Sequence, residues 1–226
     1  MFDKIAWRYD FLNHFCSLNI DKIWRHKTVN ELRGKPLDHV LDVATGTADL
    51  AIVIQKRLQP GQLTGVDISE GMLAIGRRKI EKKGLKQQIN LQYGDSEALP
   101  FNNHTFDAVT VAFGVRNFER LEKGLGEMFR VLKNNGKLVV LEFSIPGNRV
   151  FRRIFHFYFF RILPFVGRIV SKDAQAYSYL PNSVQSFPYG AKFKEKMEYC
   201  GFENIKIRPL TFGIASIYTG TKINSD

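Results

Sequence analysis

The sequence predicts an α/β fold: a mostly parallel sheet with helices on both of its faces. Three observations lead there. Between Val40 and Phe143 short apolar runs alternate with amphipathic stretches, the pattern of repeated strand–helix units. The first run, His39-Val40-Leu41-Asp42-Val43, leads into a turn of small residues, Ala44-Thr45-Gly46-Thr47-Ala48. The second, Leu63-Thr64-Gly65-Val66-Asp67, ends on a carboxylate about 20 residues after that turn, the spacing at which α/β domains build nucleoside sites.

The elements follow in order. Phe2, Ile5, Ala6, Tyr9, Leu12 and Phe15 fall on one helical face, and a second helix is predicted near 21–32, so residues 1–35 form an N-terminal helical cap. A cofactor-binding core, 36–144, has strands at 40–44, 62–67, 89–94, 106–112 and 136–143. Helices are predicted between them at 47–58, 70–83, near 98, and at 120–133. Residues 145–190 interrupt the alternation. A helix at 190–200 then leads to strands at 203–211 and 214–222, close enough in sequence to pair as a hairpin. A chain of 226 residues suits a single domain, 1–226, with a sizeable core.

The turn after the first strand narrows the ligand. A dinucleotide fingerprint needs three glycines so that a pyrophosphate can rest on the helix N-terminus, yet Gly46 is the only glycine here, flanked by Ala44 and Ala48. No Walker loop is present either. A ligand with an adenosine and no phosphate fits better, and S-adenosylmethionine is the common one. Gly46 allows close backbone approach, Asp67 can accept from both ribose hydroxyls, and Asp42 can orient the turn or the methionine part of the ligand.

The net charge of +11 is compatible with nucleic acid, an anionic membrane surface, or solubility alone. Lys and Arg are spread along the chain, and neither an Asn/Asp-Pro-Pro-Tyr motif nor a catalytic Cys pair occurs, so no nucleic-acid partner is expected. Cys16 and Cys200 are far apart and suggest neither a disulfide framework nor a zinc site; both are expected to be reduced and buried. His156 has no metal-ligand partner nearby in sequence, and no metal is expected. The N-terminus lacks an apolar signal core, which points to the cytoplasm.

The interrupting segment is strongly aromatic and basic. From Val150 to Val170 it carries Phe151, Phe155, Phe159 and Phe165 among Arg152, Arg153, Arg161 and Arg168, too many charges for a spanning helix. It suits a membrane interface, a pocket for a greasy substrate, or a cover helix packed on the sheet with its arginines reaching outward. Pro164 and Gly167 should divide it into two short helices.

Several motifs in order then resemble one family. They are Tyr9-Asp10-Phe11-Leu12-Asn13, Ser17-Leu18-Asn19-Ile20 with Trp24-Arg25, and the turn from Asp42 to Leu50. Gly94-Asp95-Ser96-Glu97-Ala98-Leu99-Pro100-Phe101, Phe113-Gly114-Val115-Arg116-Asn117 and Leu141-Glu142-Phe143-Ser144 follow. Together they resemble the C-methyltransferases of menaquinone and ubiquinone biosynthesis, and within that family the members acting on demethylmenaquinone. The resemblance implies a class I S-adenosylmethionine-dependent methyltransferase fold, Rossmann-like, with a seven-stranded sheet whose last strand is antiparallel. It implies that Thr47 and Asp67 bind the cofactor and that Asp95 and Ser96 sit at the adenine. It also implies C-methylation of a lipophilic prenylated quinol, demethylmenaquinol to menaquinol, with the benzoquinol of ubiquinone synthesis, another small molecule or RNA as alternatives. The sequence departs from the family at Ala48, where glycine is usual, at Asn134-Asn135 in place of Pro-Gly, and at Ala112, where serine is frequent.

For such a reaction a ring hydroxyl must lose its proton before the ring carbon can attack. Arg116 is placed after the fourth strand to supply positive charge near that oxygen, Asn117 to donate a hydrogen bond, and Tyr9 on the cap to relay the proton. Phe151, Phe155, Phe159 and Phe165 are expected to line a route for the prenyl tail, and Arg152, Arg153 and Arg168 to meet anionic headgroups. The expected location is the cytoplasm, peripheral on the inner face of the cell membrane; self-association as a homodimer stays open.

Overall fold

The computed structural model describes residues 19–34, 36–162 and 182–223. Seven strands form one sheet: β1 His39–Val43, β2 Gln62–Asp67, β3 Ile89–Tyr93, β4 Phe106–Ala112, β5 Leu132–Phe143, β6 Glu203–Leu210 and β7 Ala215–Thr221. Their spatial order is β3-β2-β1-β4-β5-β7-β6. Neighbours from β3 to β5 are parallel, and β7 runs antiparallel to both β5 and β6. The predicted closing hairpin is therefore present, and so is the antiparallel last strand.

Central strands are mostly apolar because both faces of the sheet are covered, with Asp42, Thr110 and Glu142 as buried exceptions. Side chains alternate between faces, so Val139 and Leu141 enter one core while Leu138 and Val140 enter the other. Helices α1 Ile20–Asn30, α2 Asp49–Leu58 and α3 Glu70–Lys82 supply the first core through residues such as Trp24, Ile54 and Leu73. Helices α4 Leu121–Val131 and α6 Ala191–Tyr199 supply the second through Leu125, Met128, Phe193 and Met197. Strand order reverses between β1 and β4, and at such a switch point the two following loops part to leave a crevice at the strands' carboxyl ends.

Some expectations require correction. No helix forms near 98: Asp95 and Ala98 make an isolated bridge, with the Asp95 carboxylate accepting from the Glu97 N–H at 2.8 Å. The fifth strand starts at Leu132 and not at 136, passing through Asn135 at φ +62°. That left-handed residue stands where the family has glycine, and asparagine is among the few side chains that tolerate it. Cys200 is half-buried, not buried, and its thiol donates to the Glu122 carbonyl at 3.4 Å. Cys16, Pro164 and Gly167 lie outside the described residues.

In the described part of the interrupting segment, α5 spans Arg149–Phe157 and widens into a π-helical turn over Tyr158–Ile162. Asn148 caps it, its side chain accepting from Val150 N–H at 2.9 Å. Phe155 and Phe159 stack on each other at 4.3 Å and are both buried, and Phe159 packs edge-on to Phe143. These two rings form part of the core. Arg152 turns back to the Pro146 and Gly147 carbonyls at 3.1 and 3.0 Å, so it serves the helix start. His156 is exposed, its ring edge-on to Phe155. Among the described residues no helix is long and apolar enough to cross a membrane, and no cluster of metal-ligating side chains occurs.

Candidate active site

The site begins with the turn that joins β1 to α2. Ala44, Gly46 and Ala48 all adopt positive φ, +51°, +57° and +66°, which costs an alanine on the order of 1 kcal/mol each. The turn is held from below. Asp42, fully buried at the end of β1, accepts from Thr45 Oγ1 at 2.7 Å and from Thr110 Oγ1 of β4 at 2.6 Å. Burial pushes its carboxyl up to about 6, against the opposing pull of the two threonine hydroxyls and the positive charge of Arg25. Asp42 thus lies beneath the turn and is not among the residues lining the cleft.

Asp67, at the end of β2, reaches across to the same turn. Its Oδ2 accepts from Gly46 N–H at 2.8 Å and its Oδ1 from Ser69 N–H at 2.9 Å. A dinucleotide site would point the Gly46 N–H at phosphate; here that donor is committed to a carboxylate, and the negative charge beside it repels an anion. The residues fit a ligand with an adenosine and without phosphate. Ile68 and Met72 offer apolar sides beyond Asp67, and Asp95 stands exposed at the next strand end, tied in by the Gly94 N–H to the Asp67 carbonyl at 3.1 Å.

The cleft these residues border encloses about 370 Å³. Gly46, Thr47, Asp67, Asp95, Ser96 and Asn117 all line it, so six of the residues singled out from sequence meet in one place. The Thr47 hydroxyl accepts from Lys79 Nζ at 2.8 Å, and the same ammonium holds Asp49 at 2.9 Å. Two glycines let the walls meet. A Cβ on Gly114 would stand 2.6 Å from that of Ala44, and one on Gly65 2.9 Å from the Thr45 side chain. Next to Ser96, Arg120 closes over Glu97, whose carboxylate accepts from Arg120 N–H at 2.7 Å and Nε at 2.8 Å. The Arg120 N–H is the chief reason the Glu97 carboxyl sits below its ordinary range.

Arg116 is placed differently. It does not line the cleft but lies behind it, its Nη1 donating to Glu142 Oε1 at 2.8 Å and to the Phe113 carbonyl at 2.6 Å. Its guanidinium also lies 5.5 Å from the Phe143 ring centroid. Burial raises the Glu142 carboxyl even with Arg116 beside it. Tyr9, the third residue assigned to chemistry, lies outside the described residues. Ala112 does line the cleft, with a methyl group where the family often has a hydroxyl.

Sequence reasoning gave no role to Arg25, Lys79, Glu97 or Glu142. Arg25 had a signal: Asp21 and Arg25 are in helical phase with Trp24 and Thr28, which places charges on the buried stripe of α1. The others depend on partners distant in sequence and carry none.

A doubly wound sheet in this strand order, with an antiparallel last strand and a cleft at its switch point, has the fold of the class I S-adenosylmethionine-dependent methyltransferases. Residues 1–222 match the model of the ubiE/COQ5 methyltransferase family, and the chain belongs to that family. It is 48% identical over 222 residues to the demethylmenaquinone methyltransferase of Bacteroides fragilis, covering 98% of this chain and 91% of that one. It is also 48% identical over 223 residues to the ubiquinone/menaquinone biosynthesis C-methyltransferase UbiE of Geobacter sulfurreducens, covering 98% and 87%. Among solved structures it is similar to phosphoethanolamine N-methyltransferase 2 of Haemonchus contortus in complex with S-adenosyl-L-methionine, with a TM-score of 0.64 and 15% identity. That likeness covers 88% of this chain and 52% of the other and bears on the fold.

Proposed function

We propose that this protein methylates a ring carbon of a prenylated quinol, converting demethylmenaquinol to menaquinol with S-adenosylmethionine as donor. The 48% identity to a demethylmenaquinone methyltransferase over 222 residues carries this reading. The cleft is consistent with it. Asp67 takes the ribose hydroxyls, Asp95 and Ser96 the adenine, and Gly46 and Thr47 the bend between adenosine and amino acid. Asp42 contributes by fixing the turn. When bound, the donor supplies an electrophilic methyl carbon on sulfur. The protein's task is then to hold the ring carbon in line with that methyl group, about 3 to 3.5 Å away, in a dry site.

Asn117 donates to the ring oxygen, where negative charge grows as the hydroxyl proton passes by way of Tyr9 to solvent and the carbon becomes nucleophilic. Once the methyl group has left sulfur for that carbon, the carbon gives up its own proton and the ring regains its aromaticity. Arg116 acts at one remove: anchored by Glu142 and the Phe113 carbonyl, it fixes the loop that presents Asn117. Phe113 and Phe118 give the cleft an apolar wall suited to a quinol ring. The exposed Val150, Ile154 and Phe157 on α5, beside exposed Arg149 and Arg153, suit an anionic membrane from which a prenylated substrate would come. The equal identity to a protein named for both pathways favours the benzoquinol ring as the second reading.

The test is methyl transfer from labelled donor to quinols and, in parallel, to total RNA, both extracted from cells deleted for the gene. Label is expected in the menaquinone fraction. Label confined to ubiquinone would select the second reading, and label confined to RNA would defeat both.

A further inference from the structure

Helix α1 crosses the inner end of the cleft and brings a cation there. Trp24 fixes the helix, its ring 6.2 Å from Phe113 and 6.1 Å from Phe143, and its Nε1 donates to Thr211 Oγ1 at 2.8 Å. The next residue, Arg25, lines the cleft with its guanidinium carbon 5.4 Å from the Phe113 ring centroid. Its side chain is only 10% exposed. The buried Nε has no hydrogen-bond partner among the described residues; Asp21 Oδ2, 3.4 Å away, forms an ion pair without hydrogen-bond geometry. A cation this buried and this incompletely hydrogen-bonded favours any anion that completes its shell.

The topology says which anion. Asp67 ends β2 and Asp95 follows β3, so an adenosine held by both spans the β3–β2 side of the cleft. The donor's amino-acid part must then extend toward the ends of β1 and β4, where Ala44 and Phe113 stand and where Arg25 enters. The charge of Arg25 is felt at the end of β1, since it lowers the Asp42 carboxyl. We propose that Arg25 pairs with the donor's carboxylate and makes the enzyme selective for S-adenosylmethionine over analogues lacking that group. This rests on the reading of the cleft as the donor site. A guanidinium suits the role because its planar fork can meet both carboxylate oxygens with two parallel hydrogen bonds, whereas an ammonium acts as a point charge.

The test is calorimetric binding of S-adenosylmethionine and of its decarboxylated form to the wild type, Arg25→Lys and Arg25→Met. The wild type should bind the intact donor on the order of 100-fold more tightly than the decarboxylated one. Arg25→Met should lose affinity for the intact donor by a similar factor and discriminate little between the two, with Arg25→Lys in between. Asp21→Asn/Arg25→Met, which leaves no lone buried charge on α1, should repeat the Arg25→Met result if the single variant folds poorly. Equal losses for both ligands would make Arg25 merely structural and overturn the inference. So would a wild type that binds both alike, or variants that keep donor affinity while the KM for quinol rises. Binding of neither ligand by the wild type would overturn the cleft assignment itself, whereas selective donor binding without quinol methylation would sustain Arg25 and defeat the proposed function.

Discussion

Arg116 Nη1 lies 2.8 Å from Glu142 Oε1 with both side chains withdrawn from water, 1% and 0% exposed. Glu142 also accepts from the Phe143 N–H at 2.9 Å, so one carboxylate secures both the end of β5 and the loop after β4. Removing one charge strands the other in the interior, at a cost of about 3 to 5 kcal/mol. Arg116→Met should therefore melt well below the wild type in scanning calorimetry. Arg116→Met/Glu142→Leu, with no lone charge, should regain much of the loss. An Arg116→Met protein as stable as the wild type would show that the pair does not anchor the loop.

Asp42 makes stability depend on pH in a particular direction. Its carboxyl stands at about 6 in the folded protein against an ordinary 3.8, so the native state holds a proton that the unfolded chain has released between those values. Above about pH 6 the ionised form carries the full burial penalty, about 3 kcal/mol, and the penalty shrinks as pH falls toward 4. Asp42→Asn escapes it at every pH. Its stability relative to the wild type should therefore be highest near pH 7.5 and drop by about 1 kcal/mol on going to pH 5. Urea denaturation at the two pH values measures this, and a constant difference would mean that Asp42 does not titrate in the fold.

These two carboxylates also show where sequence is informative. Strands buried on both faces read as apolar runs, and β1 to β4 accordingly stand within one or two residues of their predicted limits. Asp67 was legible because a strand end and a ligand spacing coincide in the primary structure. The segment near 98 was not, because an Asp95 side chain that accepts from its own neighbourhood competes with a helix, and Pro100 cannot continue one. Arg116 was placed at the correct loop, yet its burial is decided by Glu142, 26 residues away on another strand. Local pattern carries no record of such a partner. The positive φ of Ala48 likewise follows from the turn as a whole, which a preference scale would assign to glycine.

Asp67 has two duties, and the choice of substitution separates them. Its oxygens order the turn through Gly46 and Ser69 and, in the proposed function, receive the ribose. Hydrogen bonds to a charged group contribute about 1.5 to 3 kcal/mol each. Asp67→Asn keeps one acceptor oxygen and should weaken donor binding by about 10- to 100-fold, with a small change in melting temperature. Asp67→Ala loses both duties and should also soften the turn, seen as faster amide exchange at Gly46. A donor affinity untouched by Asp67→Asn would exclude this carboxylate from the ribose site.

Helix α5 presents Val150, Ile154 and Phe157 to water at 63%, 59% and 63% exposure, while Phe155 on its other side is 4% exposed. Phe151 is stacked on Phe212 at 4.1 Å, and Phe212 is itself 67% exposed, so the apolar surface extends from α5 to the turn between β6 and β7. Exposing these side chains to water is unfavourable, and an interface that takes the apolar groups while its headgroups meet Arg149 and Arg153 removes that cost. Vesicles containing anionic lipid should therefore sediment the protein, and raised salt should release part of it. Ile154→Asp/Phe157→Asp should abolish binding at any salt while leaving methylation of a short-chain, water-soluble quinol unchanged, since neither residue lines the cleft. Arg149→Gln/Arg153→Gln should instead weaken binding only to anionic vesicles. Equal binding of all three proteins would place the membrane contact elsewhere on the chain.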